Sequence, residues 1–239
     1  EINSNVPIKK WDLTMSSSWF ATEALNLPKF LDAALIILVI ICLQLLLTTI
    51  DLPNEGRRRV QHAITGQVLI LVSYYLPIAF CQTALHIGIA LLFYVFHFQR
   101  EWYLQSFGSL LRPAERSVLP GAFWFLVGTW LTSLFADLSI GRYAVLCLSY
   151  ADPMASWVGS SISSPRLFGT NKTIAGCCAS FVTAIILWLI IFRFSRSIPE
   201  MFIGALACTC AEIIPFGNDN LLIPILTAFV LESYRQIVL

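Results

Sequence analysis

The chain has 239 residues, 57% of them hydrophobic and only 12% charged, and its mean hydropathy is +0.76. Soluble domains average about 45–50% apolar and about 25% charged residues, so too little polar surface is left to cover a water-soluble globule, and the chain reads as an integral membrane protein. Fifteen Lys and Arg against fourteen Asp and Glu leave a net charge of +1, a balance that gives no footing for nucleic acid.

At about 20 residues per spanning helix, the length predicts an all-α, polytopic membrane bundle of about seven or eight transmembrane helices. It leaves no room for a separate soluble catalytic domain. The cysteines sit almost entirely in apolar runs and read as small hydrophobes, without the spacing of a zinc site. The chain begins with Glu1 rather than Met, so a preceding segment is expected.

Residues 1–29 mix Trp11, Trp19 and Phe20 with Lys9, Lys10 and Lys29, which fits an interfacial segment before a transmembrane domain over 30–239. A first span is expected over 31–50. Pro53, Gly56 and three arginines then break the pattern. Spans over 62–80 and 81–98 follow, joined by a tight hairpin near Pro77 or forming one long bent helix. A fourth is expected over 119–136, and a weaker fifth over 143–158 carries Asp152-Pro153. A Gly/Ser/Pro-rich loop, 159–172, leads to a sixth over 173–192. The seventh (199–214) and eighth (221–234) are short and flank PFGNDN.

With eight spans, the loops holding Arg57–Arg59, Arg100/Arg112/Arg116, Arg166/Lys172 and Asn218–Asn220 fall on one face. The positive-inside rule makes that face cytoplasmic.

Ionisable groups inside apolar spans cost about 2.5–3.5 kcal/mol or more and mark functional sites by default. Asp152 precedes Pro153, which has no N–H to donate. A helix interrupted there would leave carbonyls beside a carboxylate, a setting for a divalent cation; the plainer alternative is a buried Asp paired with an Arg. Ala151, Ala155, Ser156 and Gly159 would let a nucleotide or another helix come close.

GTNKTIAG (169–176) places Gly169, Asn171, Lys172, Thr173 and Gly176 at the start of the sixth helix. Unpaired N–H groups and the helix dipole there favour phosphate, with Lys172 as a point charge. It is not a Walker A loop. The alternative is an anchoring Lys with Thr173 as helix cap.

In PFGNDN, Asp219 and its flanking Asn residues offer oxygens suited to Mg²⁺ or Ca²⁺, with Glu212 about two turns earlier, and Asn220 suits a base or ribose. An Asx-rich turn capping the last helix is the alternative. Arg58 and Arg59 suit phosphate or topological anchoring, and His62 suits a base for a lipid hydroxyl or a structural role. Together these groups fit phosphoryl or nucleotidyl transfer to a lipid that reaches the site from the bilayer.

SYADPMASWVG, GTNKTIAGCCASF and AEIIPFGNDNLLIPIL resemble the polyprenol kinase family, which includes CTP-dependent diacylglycerol kinase, dolichol kinase and phytol kinase. The family pattern runs from R-K-x-x-H through D-x-x-A and K-[ST]-x-[EA]-G to D-N-x-x-[IV]-P. Here it matches Arg58-Arg59 with His62, Asp152 with Ala155, Lys172 to Gly176, and Asp219-Asn220 with Pro224, across residues 55–230. The chain departs from it in having Arg59 where Lys is common and Pro153 after Asp152.

Ala175, where dolichol and phytol kinases usually carry Glu, places the resemblance closest to the diacylglycerol kinase branch. The resemblance implies CTP as phosphate donor and diacylglycerol as acceptor, at an endoplasmic reticulum or nuclear-envelope membrane with the site facing the cytoplasm. It implies that Asp152 and Asp219 hold a divalent metal and the triphosphate. Lys172, with Arg58 and Arg59, would neutralise charge, Asn220 would fix position, and His62 would activate the hydroxyl. The alternatives are a prenol kinase of the same family, a phosphatidate cytidylyltransferase and a small secondary transporter.

Overall fold

A computed structural model describes residues 53–238 except 109, 110, 112, 168, 169, 194 and 216, together with scattered positions between 28 and 46. The interfacial segment expected over 1–29 and most of the first expected span lie outside the described residues. Among those described, secondary structure is helical, apart from a single antiparallel bridge between Arg166 and Thr173.

The principal helices are α1 (Asn54–Tyr75), α2 (Ile78–Phe98), α3 (Arg100–Phe107) and α4 (Gly121–Phe135). They continue with α5 (Leu138–Leu146), a π-helical turn (Cys147–Ala151), α6 (Asp152–Ser161), α7 (Ile174–Phe192), α8 (Ile198–Ile213) and α9 (Asp219–Val238). Prolines punctuate the chain, because Pro53, Pro77 and Pro120 each stand immediately before a helix, where a missing N–H costs nothing. Asp137, Thr173 and Ser197 cap α5, α7 and α8 with side-chain oxygens. The α8 cap is a reciprocal capping box with Glu200.

Two local expectations are corrected. Arg57, Arg58 and Arg59 lie within the first turns of α1 rather than in a loop before it, because Pro53 starts the helix upstream of them. Pro153 does not interrupt its helix. The preceding turn widens instead, with the Asp152 N–H donating five residues back to the Cys147 carbonyl, so helix runs on through Pro153. Such π turns are the usual way a helix absorbs a local misfit. The break near Pro77 is real: α1 ends at Tyr75 and α2 starts at Ile78.

Three described helices are long and apolar enough to cross a membrane, α2, α7 and α9, and α4 is a shorter apolar helix. Among the described residues, that measure does not confirm the seven to eight expected spans. α1 carries Arg57–Arg59 and Glu55, α4 and α8 have 15 and 16 residues, and the segment from α5 to α6 changes helix type midway. The outward surface of α2 is apolar, with Ile87, Leu91 and Phe98 exposed, a pattern that fits a lipid surround rather than water.

The bundle centres on the segment that the sequence makes its weakest span. Tyr143 through Ser149 and Ala151 are all buried, with Tyr143 packed edge-on against Trp188 at 5.0 Å between ring centres. Its hydropathy is lowered by Tyr143, Ser149, Tyr150 and Asp152, and α1, α7 and α9 close around it. At one end of the bundle Arg142 holds Ser73, and Arg196 joins Asp137 and Glu200. The loops that positive charge assigns to a common face do gather at the other end.

Candidate functional site

At that second end, Asp152 opens α6, Glu212 lies near the close of α8, and Asp219 opens α9. Their carboxylate oxygens lie within 4.8 Å of one another. The turn between α8 and α9 makes this convergence possible: Gly217 adopts φ +92°, a left-handed backbone that favours glycine. Between the helices stands Lys172. Its ammonium donates to Glu212 Oε1 at 2.6 Å and to Asp219 Oδ2 at 2.7 Å.

Lys172 is delivered by a small folded loop. The Leu167 N–H donates to the Lys172 carbonyl at 2.8 Å, the Lys172 N–H donates to Thr170 Oγ1 at 3.1 Å, and Arg166 bridges Thr173. Burial works against the charged ammonium, yet the carboxylates of Glu212 and Asp219 outweigh it and hold the Lys172 pKa well above lysine's ordinary value.

These groups line a cavity of about 600 Å³ with Arg59, Arg166, Asn171, Thr173, Gly176 and Ser156, a size that suits a small ligand. Arg59 is tied to α6 through Ser156, donating to its hydroxyl at 3.0 Å and its carbonyl at 3.3 Å, while its buried Nε has no hydrogen-bond partner. With Glu55 also on its wall, the cavity joins four carboxylates to three cations, a combination able to hold a polyphosphate and a metal together.

The donor set fits a hard cation. Glu212 is almost fully buried and its second oxygen, Oε2, has no hydrogen-bond partner among the described residues, an arrangement that costs free energy unless a cation takes that lone pair. Asp152 makes no ion pair among the described residues, so the reading of a structural Asp–Arg pair is set aside.

Several expected site residues serve the scaffold. Thr173 is the α7 cap, its hydroxyl accepting from the Gly176 N–H at 3.2 Å. The Ile174 N–H donates to the Pro165 carbonyl at 3.0 Å and the Ala175 N–H to Ser164 Oγ at 3.1 Å. The α7 amides expected to meet phosphate are therefore already engaged, which leaves side chains to do that work. Gly176 lies against α6: a Cβ there would stand 2.8 Å from the Ala155 carbonyl oxygen. The small residues of α6 admit another helix.

Asn220 is also structural. Its Nδ2 donates to the Gly121 carbonyl at 2.9 Å, and its N–H is taken by Asn218 Oδ1 at 3.0 Å in the expected Asx turn. Arg58 pairs with Glu55 at 3.0 Å, and His62 packs edge-on against Phe125 with ring centres 4.7 Å apart. Arg58, His62 and Asn220 line an adjacent cleft rather than the acidic cavity. Gly169 lies outside the described residues.

Sequence reading noted Glu212 beside PFGNDN but assigned it no role, although a Glu in the apolar run ACTCAEIIP carries the same signal as Asp152. Ser156 and Arg166 left no comparable signal.

Comparison with known proteins gives two distant likenesses. The chain is 27% identical over 149 residues to CTP-dependent diacylglycerol kinase 1 of Schizosaccharomyces pombe, covering 54% of this chain and 66% of that protein. It is 26% identical over 135 residues to uncharacterized protein RP860 of Rickettsia prowazekii, covering 53% of this chain and 65% of that protein. The chain therefore spans just under two thirds of the length of these relatives. No family profile matches it, and no solved structure matches it. The first likeness supports a distant relationship to the CTP-dependent diacylglycerol kinase family.

Proposed function

We propose that the chain is a CTP-dependent lipid kinase that transfers the γ-phosphate of CTP to the hydroxyl of diacylglycerol, forming phosphatidate and CDP. The observation that carries this reading is the meeting of Asp152, Glu212 and Asp219 with Lys172 in one polar cavity at the end of an apolar bundle. The relative's name supports the donor and the acceptor.

In this reading a Mg²⁺ or Ca²⁺ ion held by Asp152 and Asp219, with Glu212, neutralises phosphate charge when bound. Lys172 and Arg59 face the transferring phosphate, where positioning and charge neutralisation supply most of the catalysis. Lys172, held by the Glu212 and Asp219 carboxylates, would supply positive charge to the phosphate. The lipid oxygen forms a bond to the γ-phosphorus while the bond to the β-phosphate bridging oxygen breaks and CDP leaves. His62, on the neighbouring face of α1, takes the hydroxyl proton. The active end faces the cytoplasm, where CTP is available, from an endoplasmic reticulum or nuclear-envelope membrane.

The test is transfer of label from CTP to lipid in detergent micelles, with diacylglycerol, dolichol, phytol and phosphatidate offered in parallel. Label from the γ-position on diacylglycerol, lost in Asp152→Ala, supports the reading. Label from the γ-position on a prenol moves the enzyme to the prenol kinase branch. Label from the α-position on phosphatidate makes it a cytidylyltransferase.

A further inference from the structure

Two further clefts lie between α1, α2 and α4. One, of about 280 Å³, carries the polar groups of Arg58, His62, Glu115 and Asn220 among apolar walls such as Phe107 and Phe125. The other, of about 460 Å³, is apolar almost throughout, with Val72, Cys81, Leu85 and Gly88 among its walls.

They are two halves of one groove. Positions 58, 61, 62 and 65 of α1 line the first half and 68, 69, 70, 72, 73 and 76 the apolar half, and all but Ile70 keep the spacing of a single helical face. On α2, Leu92 lines the first and Gly88, Leu85 and Cys81 the second. Leu126 of α4 lines both. From position 58 to 76 the groove follows roughly 27 Å of helix.

α1 and α2 touch each other little, while α2 packs on α4 and α1 on the central segment, so the groove is open between them. At its far end Arg142 closes it, donating to the Ser73 hydroxyl at 2.8 Å and stacking over Tyr74 at 3.6 Å. At its near end Asn220 follows Asp219 in sequence and Arg58 precedes Arg59, so the first half adjoins the acidic cavity.

We infer that this groove holds one hydrocarbon chain of the acceptor lipid alcohol, entering between α1 and α2, with the hydroxyl beside His62 and Asn220. Its long apolar stretch, reached from the end that carries His62 and Asn220, matches an amphiphile with a hydroxyl terminus, and Arg142 at the far end is already engaged with Ser73. The inference rests on the lipid-kinase reading for the chemistry at the hydroxyl. Arg142 then sets how long a chain the groove accepts.

Gly88 is the position that tests it. A Cβ there would stand 3.7 Å from Leu126 Cδ1, an ordinary contact with no backbone in the way, so a phenylalanine would project across the groove. The full chain carrying Gly88→Phe is assayed with short-chain and long-chain diacylglycerols, beside Ile190→Phe on the exposed face of α7. The expected result is a fall of about tenfold or more in the long-chain to short-chain ratio of kcat/KM for Gly88→Phe, with the ratio unchanged in Ile190→Phe.

A diacylglycerol carrying a photoreactive diazirine in one chain supplies a readout that needs no turnover. Cross-links expected on the groove faces of α1, α2 and α4 are lost in Gly88→Phe. Transfer that is intact with an unchanged ratio, or cross-links confined to outer surfaces, overturns the groove while leaving the kinase reading standing. Where no lipid receives phosphate, the kinase reading fails and the cross-link alone decides the groove.

Discussion

The Lys172 ammonium lies 2.6 Å from Glu212 Oε1, a contact between a loop before α7 and the end of α8. Glu212 is almost completely buried and Lys172 is 29% exposed, so the pair joins a fixed carboxylate to a cation that reaches it from the solvent side. Lys172→Met leaves that carboxylate buried without its partner. The expected loss lies at the low end of about 3–5 kcal/mol, since solvent screens the half-exposed side. Thermal unfolding in detergent checks it. The double variant Lys172→Met/Glu212→Gln regains most of the stability but no phosphoryl transfer; recovery of both would remove Lys172 from the chemistry.

The three carboxylates are expected to act as a unit. Asp152→Asn, Glu212→Gln and Asp219→Asn each lower kcat by about 100-fold or more, and each raises the Mg²⁺ concentration for half-maximal activity by about 10-fold or more. A metal titration of the labelled-lipid assay measures this. An unchanged metal requirement in Glu212→Gln would sink its assignment as a ligand.

Glycine substitutions test the α6–α7 contact by a rank order. Gly176→Ala drives a methyl group to 2.8 Å from the Ala155 backbone oxygen, whereas Gly159→Ala meets a side-chain atom, the Thr173 hydroxyl that caps α7, at 2.8 Å, and Gly108→Ala meets nothing within 4 Å among the described residues. Overpacking costs about 1–3 kcal/mol, so melting temperatures should fall most for Gly176→Ala, less for Gly159→Ala and not measurably for Gly108→Ala. A different order would mean that the helices are not held as closely as described.

Stability should weaken at both extremes of pH, for opposite reasons. Burial tends to raise the Asp137 pKa, but donation from Ser139 and the charge of Arg196 outweigh it and hold the carboxyl below its usual range. Its contribution is therefore present above the ordinary value of about 3.9 and is lost as pH falls through the native pKa. Asp137 is half exposed, so the effect is well under about 1 kcal/mol. Lys172 is shifted upward, so its contribution is intact below about 10.4 and lost as pH rises beyond it. Melting temperature against pH, in wild type, Asp137→Asn and Lys172→Met, checks both. Each variant should flatten its own limb, and a steep alkaline limb surviving in Lys172→Met would refute the second assignment.

Much of the arrangement was legible in residue order. Asp152, Lys172 and Asp219 stand out because ionisable groups are costly among apolar neighbours, and the break near Pro77 follows from a ring that cannot continue a helix. Pro224 was legible as a motif position but not as a cause. The carbonyl it leaves without a helical donor is that of Asn220, and Gly128 of α4 lies so close that a Cβ there would stand 2.6 Å from that oxygen. The Asn220 side chain holds Gly121 of the same helix. The D-N-x-x-[IV]-P element thus locks α9 onto α4, a role that needs a partner helix to be seen.

The sequence by itself determined that the chain is helical and apolar, and that its costly polar residues gather in a few short stretches, because composition and hydrophobic period act locally. Only the tertiary structure decided which of those residues share a cavity. It placed Glu212 in the cluster and assigned Thr173, Gly176 and Asn220 to the scaffold. It also turned the weakest apparent span into the core, since Tyr143 and Ser149 lower its hydropathy in sequence and only the helices packed around it bury them. A hydrogen bond is spent once, and whether it goes to ligand or to scaffold depends on neighbours far away in the chain.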